Sequence, residues 1–113
     1  MSAITTHILD LANGRPASGV SVKLEADDQG SWTELGRSAT DADGRVRDLL
    51  ANDVALRSGT YRLTFETGEY WRSKGVESFY PAVIVTFVVN EARAHYHVPL
   101  LVSPWGYSTY RGS

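Results

Sequence analysis

The sequence predicts an all-β fold, a sandwich of about seven to eight short strands with one short helix. Most of the chain alternates apolar and polar residues with the two-residue period of a half-buried strand. Clusters of Gly, Asp, Asn and Pro separate the alternating segments at short intervals. One glycine-bounded segment lacks the alternation. Regular strands with turns between them are typical of a sandwich.

Four segments show the strongest strand pattern. In residues 19–26, Val20, Val22 and Leu24 alternate with polar residues, so one face of that strand is predicted to be buried. Residues 80–89 are apolar on both faces, which predicts a strand covered on both sides. The strong segments are residues 19–26, 59–67, 80–89 and 95–103, and weaker strands are expected at 7–10, 32–37 and 44–47.

Turn clusters and one helix candidate lie between these strands. The clusters at residues 13–16, 27–30, 41–44 and 57–59 are rich in turn-forming residues. Residues 68–75 are bounded by glycines and do not alternate, which predicts a short helix. Residues 49–56 have some helix propensity, but an Asn-Asp pair in the middle weakens that prediction.

Length and composition fit one globular domain, expected to cover residues 1–113. The 42% hydrophobic and 21% charged residues are unlike those of disordered or membrane proteins. A net charge of −2 with dispersed basic residues gives no reason to expect nucleic acid or a membrane as partner. The absence of cysteine excludes disulfides, thiolate catalysis and cysteine zinc sites. No signal peptide is visible, so a cytoplasmic location is expected.

The histidines are the residues best suited to acid–base chemistry near neutral pH. His95 and His97 lie two apart on a predicted strand and therefore share one face. Such histidines are often only exposed or hydrogen-bonded strand residues. A zinc site formed by this pair with His7 as third ligand is a further possibility, although an alternating His-x-His is weak evidence for it. Composition and periodicity leave these alternatives open.

Two arginines follow the Asp-Ala-Asp-Gly turn at residues 41–44. The turn begins like a calcium-binding loop, but Leu50 stands where such a loop needs a glutamate, so an ordinary turn is predicted. An arginine just after a tight turn can present its guanidinium group to a planar anion. Arg45 and Arg47 are both candidates for that role, and the alternative is that both are solvated surface residues.

Three segments carry motifs that are informative together. The first is Thr-His-Ile-Leu-Asp at residues 6–10, followed by Gly-Arg-Pro-Ala at 14–17. The second is Thr-Asp-Ala-Asp-Gly-Arg at 40–45. The third runs from His-Val-Pro-Leu-Leu at 97–101 to Tyr-Arg-Gly-Ser at 110–113. Together they resemble the 5-hydroxyisourate hydrolases of the transthyretin-like family, and the final tetrapeptide is specific because it must be both present and last.

The resemblance implies a transthyretin-like sandwich that assembles as a homotetramer, a dimer of dimers, with the active site at the dimer–dimer interface. Arg45 is preferred over Arg47 because it directly follows the motif glycine. His95 precedes the third motif and is interpreted as a structural or rim residue. The implied catalytic residues are His7, Arg45 and His97, and the implied substrate-binding residues are His7, Arg45, Tyr110, Arg111, Gly112 and Ser113.

The implied activity is hydrolytic ring opening of 5-hydroxyisourate to 2-oxo-4-hydroxy-4-carboxy-5-ureidoimidazoline during urate breakdown. A histidine would activate water, and an arginine would stabilise the anionic substrate and intermediate. Which histidine is the base stays open. No metal and no organic cofactor is expected. The alternative is a transthyretin-like small-ligand carrier without catalysis, and the joint presence of the implied site residues argues against it.

Overall fold

Two β-sheets and one short helix make up the fold in the computed structural model, which describes residues 3–51, 54–90 and 94–113. Two of the strands contain only two residues each. The elements are β1 Ile4–Asp10, β2 Arg15–Pro16, β3 Ser21–Asp28, β4 Ser31–Ala39, β5 Arg45–Val46, β6 Gly59–Phe65, α1 Thr67–Ser73, β7 Val83–Val89, β8 Tyr96–Ser103 and β9 Gly106–Thr109.

The first sheet joins the beginning, the middle and the end of the chain. Its strand order is β2-β1-β8-β9, and β5 also pairs with β1. The parallel pairing of β1 with β8 places Thr5 opposite His97 and His7 opposite Pro99. The antiparallel pairing of β5 with β1 places His7 opposite Arg45. Three motifs that are far apart in the sequence therefore meet in one sheet. The second sheet is antiparallel, in the order β4-β3-β6-β7.

The core lies between the two sheets and is built by alternating residues of each strand. Val22 and Leu24 of β3 are fully buried, as the alternation predicts. In β8, Val98 and Leu100 are buried in the core. Because successive side chains of a strand point to opposite faces, His97 is left on the outer face of the first sheet.

The helix overlaps the predicted segment 68–75, beginning one residue earlier and ending at Ser73, and it is bonded to the end of β1. Trp71 and Tyr70 are buried, and the Tyr70 hydroxyl donates a 2.6 Å hydrogen bond to the Asp10 carboxylate. Asn13 donates two further bonds to Asp10, from its backbone N–H at 2.9 Å and its side-chain amide at 2.7 Å. Burial alone would raise the pKa of Asp10, but the bonds from Tyr70 and Asn13 outweigh it and lower that pKa.

The structure corrects one strand prediction and adds two short strands. The segment predicted over 80–89 becomes a strand only at Val83, and it is not covered on both faces. Ile84 and Val88 on its outer face are 54% and 63% exposed, because no described part of the chain packs over that face. The strands β2 and β9 were not predicted, because two and four residues are too short for a clear alternation.

Two further points concern helices. The segment 49–56 forms no helix in its described residues, where Leu49, Leu50 and Leu56 are instead buried in the core. Positions 52 and 53, whose Asn-Asp pair weakened the helix prediction, lie outside the described residues. Across the part of the chain that the structure describes, no helix has the length and apolar character needed to span a membrane.

Candidate functional site

The outer face of the first sheet carries a cluster of polar side chains near the middle of β1. Thr5 and His7 lie two apart on β1, and strand alternation places them on the same face. The register brings His97 of β8 beside Thr5 on one side, and Arg45 of β5 beside His7 on the other. Three neighbouring strands therefore contribute one polar surface.

A half-open hollow of about 200 Å³ lies on this surface. It contains three of the residues implied by the sequence motifs, Arg45, His97 and Ser113. His7 does not line it, but stands next to Arg45 across the strand pair. The lining residues are Thr5, Thr6, Arg45, Arg47, His95, His97 and Ser113.

His97 has one ring nitrogen engaged and the other available. Its Nδ1 lies 2.8 Å from the Thr5 hydroxyl, whereas its Nε2 makes no hydrogen bond within the described residues. Burial is the main cause that lowers the pKa of His97, and the positive charge of Arg45 lowers it further. The lowered pKa favours the neutral ring near pH 7, and a neutral ring with its proton on Nδ1 can accept a proton at Nε2.

His7 is also held in the neutral form, but in a different way. Its Nε2 lies 2.9 Å from the Asp43 carbonyl oxygen, and because a carbonyl only accepts, this nitrogen carries the proton. Burial and then Arg45 lower the pKa of His7, against opposing contributions from the Asp43 carbonyl and from the Asp41 and Asp43 carboxylates. His7 therefore fixes the turn that carries Arg45.

The turn before β5 is built by Asp41 and Gly44. One oxygen of the Asp41 carboxylate accepts the backbone N–H groups of Asp43 and Arg45, both at 2.9 Å, and these bonds lower the pKa of Asp41. Gly44 has a φ of +76°, and a Cβ there would lie 2.4 Å from the Ile8 carbonyl oxygen. Only glycine fits such a position, so the Asp-x-Asp-Gly sequence is explained by the turn that it forms.

The two arginines differ in what already binds them. The Arg47 guanidinium forms an ion pair with the Asp41 carboxylate, with a nitrogen–oxygen distance of 3.0 Å. The Arg45 guanidinium makes no hydrogen bond or ion pair within the described residues. Arg45 therefore has its full set of donors available to an anion in the hollow, whereas Arg47 would have to share its donors with Asp41.

The segment 110–113 is divided between two surfaces. Gly112 pairs with His97 in an isolated antiparallel bridge, in which the Gly112 N–H donates to the His97 carbonyl at 2.8 Å. A Cβ on Gly112 would lie 2.6 Å from Cδ2 of the His97 ring, so the close approach requires glycine. This bridge carries Ser113 to the hollow.

Tyr110 and Arg111 lie along a second groove of about 230 Å³ beside β7, which His97 also lines. Arg111 stacks over the Tyr96 ring, with 4.5 Å between the guanidinium carbon and the ring centroid. Neither residue lines the hollow, but His97 is common to the hollow and the groove. Their implied contact with substrate stays a prediction.

Thr5 was missed by sequence reasoning, and His95 was interpreted as a rim residue. The Thr5 hydroxyl contacts His97 and also lies 3.0 Å from Nε2 of His95, which lines the hollow. The available signal for Thr5 was its position two residues before His7, which gives it the same face of β1. As for zinc, no group of three or more His, Cys, Asp or Glu residues in the described ranges could hold a metal ion.

A larger hollow of about 390 Å³ lies between the ends of β3 and β6 and the segment at residues 54–58. It is lined by Asp27, Asp28, Arg57 and Tyr61 among others, and it contains no histidine and none of the motif residues. Its side chains offer no acid–base pair near neutral pH, so the smaller hollow is the better candidate for chemistry.

Comparison with known proteins identifies the family. The HIUase/Transthyretin family matches residues 4–112, which is nearly the whole chain. The chain belongs to the HIUase/transthyretin family. A relative within this family, the 5-hydroxyisourate hydrolase of Mus musculus, is 49% identical over 115 residues, which cover 99% of this chain and 96% of that protein.

Two solved structures of the HIUase/transthyretin family have the same fold. The 5-hydroxyisourate hydrolase of Klebsiella pneumoniae is 39% identical with a TM-score of 0.85, and the match covers 97% of this chain and 98% of that one. Sea bream transthyretin in complex with thyroxine is 32% identical with a TM-score of 0.91, covering 98% and 95%. The predicted family and the predicted transthyretin-like all-β sandwich are confirmed.

Proposed function

We propose that this chain hydrolyses 5-hydroxyisourate to 2-oxo-4-hydroxy-4-carboxy-5-ureidoimidazoline in urate breakdown, with His97 as the general base. The observation that supports this most is the hollow lined by both His97 and Arg45, whose Nε2 and guanidinium have no hydrogen-bond partner among the described residues. The hydrolases of mouse and Klebsiella pneumoniae, both similar over nearly the whole chain, carry this activity in their names.

The reaction needs one proton to be removed and one to be returned. His97 Nε2 takes a proton from water as the water oxygen bonds to a ring carbonyl carbon, which forms a tetrahedral oxyanion. The carbon–nitrogen bond of the ring then breaks as the carbonyl re-forms, and the proton goes to the leaving nitrogen. General base catalysis of this kind contributes about 100- to 10,000-fold.

Arg45 stabilises the negative charge on the substrate and on the oxyanion, because its donors are not used elsewhere in the described residues. His7 binds substrate in this proposal and also holds the turn beneath Arg45 through the Asp43 carbonyl. Gly112 and Ser113 bind substrate beside His97, and Tyr110 and Arg111 contribute polar and aromatic contacts. No metal or organic cofactor is required, since the histidine and arginine supply the base and the charge.

We further propose that the protein is a homotetramer, a dimer of dimers that completes the site at its interface. The hollow of about 200 Å³ is small and half-open, whereas ligand pockets usually have about 300–1,000 Å³. The apolar outer face of β7, with Ile84 and Val88 exposed, is suited to burial against another copy. Sedimentation analysis tests this directly, and a monomer at micromolar concentration would contradict it.

The function is tested by following the ultraviolet decay of 5-hydroxyisourate freshly made by urate oxidase. We expect the purified protein to accelerate the decay, with no loss of rate after treatment with a chelator. A decay no faster than the spontaneous one would refute the proposal. Deletion of residues 110–113 should remove most of the activity while the protein stays folded, because His97 loses its backbone bridge to Gly112.

The second candidate function is that of a small-ligand carrier. Its support is the similarity to sea bream transthyretin, which was solved with thyroxine. A carrier has no need of a neutral histidine beside an unpaired arginine, so the hollow favours the hydrolase. Isothermal titration with thyroxine distinguishes the two, and tight binding together with an unaccelerated decay would establish the carrier.

A further inference from the structure

We propose that Thr5 and His95 form a proton relay behind His97, so that the charge gained during water activation moves to His95. The proposal deepens the proposed hydrolase function and rests on it. It gives a role in the reaction to two residues, neither of which the motifs implied. Thr5 and His95 act through His97 in this scheme, and are therefore positioning residues rather than catalytic ones.

The Thr5 hydroxyl lies between two imidazole rings. The Thr5 oxygen lies 2.8 Å from His97 Nδ1 and 3.0 Å from His95 Nε2, both within hydrogen-bond distance. Thr5 is 4% exposed, so water does not compete for its hydroxyl. The two rings are nearly parallel, with centroids 6.4 Å apart. His97 is half-buried, whereas His95 is exposed.

The single hydroxyl proton links the states of the two rings. Thr5 can donate to only one ring nitrogen, so the other nitrogen must donate to it. When His97 donates from Nδ1, Thr5 donates to His95, and His97 Nε2 has a free lone pair. When Thr5 donates to His97 instead, His97 carries its proton on Nε2. The first arrangement is the base that water activation needs, and the second is the acid that the leaving nitrogen needs.

The transfer is balanced without any other reactant. As water gives a proton to His97 Nε2, the Nδ1 proton moves to the Thr5 oxygen, and the Thr5 proton moves to His95 Nε2. His97 stays neutral and His95 becomes the cation. When Nε2 protonates the leaving nitrogen, the three transfers reverse and the starting state is restored.

The arrangement of charge explains why the cation is better placed on His95. After burial, the positive charge of Arg45, then that of His95 and then that of His7 lower the pKa of His97. Arg45, Arg47 and His95 line the same hollow. A positive charge held on the half-buried His97 ring would be repelled by Arg45. On the exposed His95 ring the same charge is hydrated. The relay therefore moves the positive charge away from His97, where Arg45 would destabilise it.

The test compares substitutions that keep or remove a single step. Thr5→Val keeps the shape and removes the hydroxyl, and Thr5→Ser restores it. His95→Gln keeps a hydrogen-bonding group but cannot carry the proton. Thr5→Val and His95→Gln should each lower kcat about 10- to 100-fold with little change in KM, as expected for loss of assistance to proton transfer. Thr5→Ser should stay close to wild type.

Tyr70→Phe is the control for lost stability, because it removes a buried hydrogen bond of a hydroxyl that lies outside the site.

The decisive readout is the solvent isotope dependence of kcat in mixtures of light and heavy water. In the wild type several protons move in the same step, so kcat should depend on the deuterium fraction along a curve. In Thr5→Val or His95→Gln the same dependence should become linear. The double variant should be no slower than Thr5→Val alone. Wild-type kcat in Thr5→Val, or in a folded His95→Gln, would overturn the relay while leaving the hydrolase intact.

Nitrogen NMR of the histidine rings tests the relay independently of turnover. The wild type should show linked ring states for His95 and His97, and Thr5→Val should separate them. Linked rings in a protein that does not accelerate the decay would refute the hydrolase and leave the coupling established. Unlinked rings in an active wild type would refute the relay alone.

Discussion

Two polar clusters on the same strand, β1, have opposite characters. At its end, the Asp10 carboxylate is 1% exposed and accepts bonds from Tyr70 and Asn13. In its first half, Thr5 is 4% exposed, and its hydroxyl contacts the half-buried His97 and the exposed His95. The His97 Nε2 and the Arg45 guanidinium have no partner within the described residues.

The difference separates polar groups that hold the fold from polar groups that perform chemistry. A buried carboxylate that is fully hydrogen-bonded stabilises the native state and has no capacity left for a ligand. A neutral imidazole and a cation with unused donors contribute little to folding, but can bind and activate a substrate. Substitutions in the two clusters should therefore affect different measurements.

The largest expected effect is that of His97→Asn. The asparagine can keep the contact with Thr5 but cannot accept a proton from water, so kcat should fall about 100- to 10,000-fold. The melting temperature should change little, since the His97 ring is only half-buried. The decay assay and thermal unfolding measure both quantities on the same sample. A variant that melts much earlier, or one that keeps its rate, would contradict the division between the clusters.

The next effect is the difference between Arg45→Gln and Arg47→Gln. Loss of the unpaired Arg45 guanidinium should lower kcat/KM about 100- to 1,000-fold, as for other groups that stabilise an oxyanion. Arg47→Gln should cost less, because the Arg47 guanidinium is already bound to Asp41. A larger loss of kcat/KM for Arg47→Gln would show that Arg47, and not Arg45, binds the substrate.

The pH profile of Arg45→Gln provides a second, independent test. Arg45 helps to keep the pKa of His97 below its ordinary value of 6.5, so the wild type should keep its neutral base well below that pH. Removing the cation raises the pKa of His97, because protonation is no longer opposed. The acid limb of kcat/KM should therefore move to higher pH in Arg45→Gln. An unchanged limb would show that His97 is not the group that titrates.

Gly112→Ala should have a moderate effect, with Gly106→Ala as its matched control. A Cβ at position 112 would lie 2.6 Å from His97 Cδ2, and the ring or the bridge has to move. A displacement of this size can cost up to about 100-fold in rate. At position 106 a Cβ would have one neighbour within 4 Å in the described part of the chain, the Ser103 hydroxyl at 3.9 Å, so Gly106→Ala should keep the wild-type rate. Equal rates for the two variants would show that the bridge to residue 112 does not position His97.

These tests also mark the limit of what the sequence could predict. Alternation predicted β3 and β8, because a strand with one buried face must repeat every two residues. The motifs predicted that residues 7, 45 and 97 belong together, and the sheet register brings those segments side by side. Thr5 could not be identified, because a hydroxyl shared between two rings depends on the pairing of β1 with β8. The placement of Arg111 and Ser113 on different surfaces also depends on a pairing, the bridge between Gly112 and His97, and therefore could not be predicted from the sequence either.

The smallest effect on activity is expected for Tyr70→Phe, which acts on the Asp10 cluster. Loss of a buried hydrogen bond to a charged group should lower the free energy of unfolding by about 1.5–3 kcal/mol, with kcat unchanged. The bond lowers the pKa of Asp10 in the folded state, so its stabilisation is complete above the ordinary Asp value of 3.8. As the pH falls through the folded-state pKa, Asp10 becomes protonated and the difference between the two proteins should shrink. Urea titrations at pH 7 and near pH 3 measure this difference. A constant gap would mean that the hydroxyl stabilises the fold by packing rather than through the carboxylate charge.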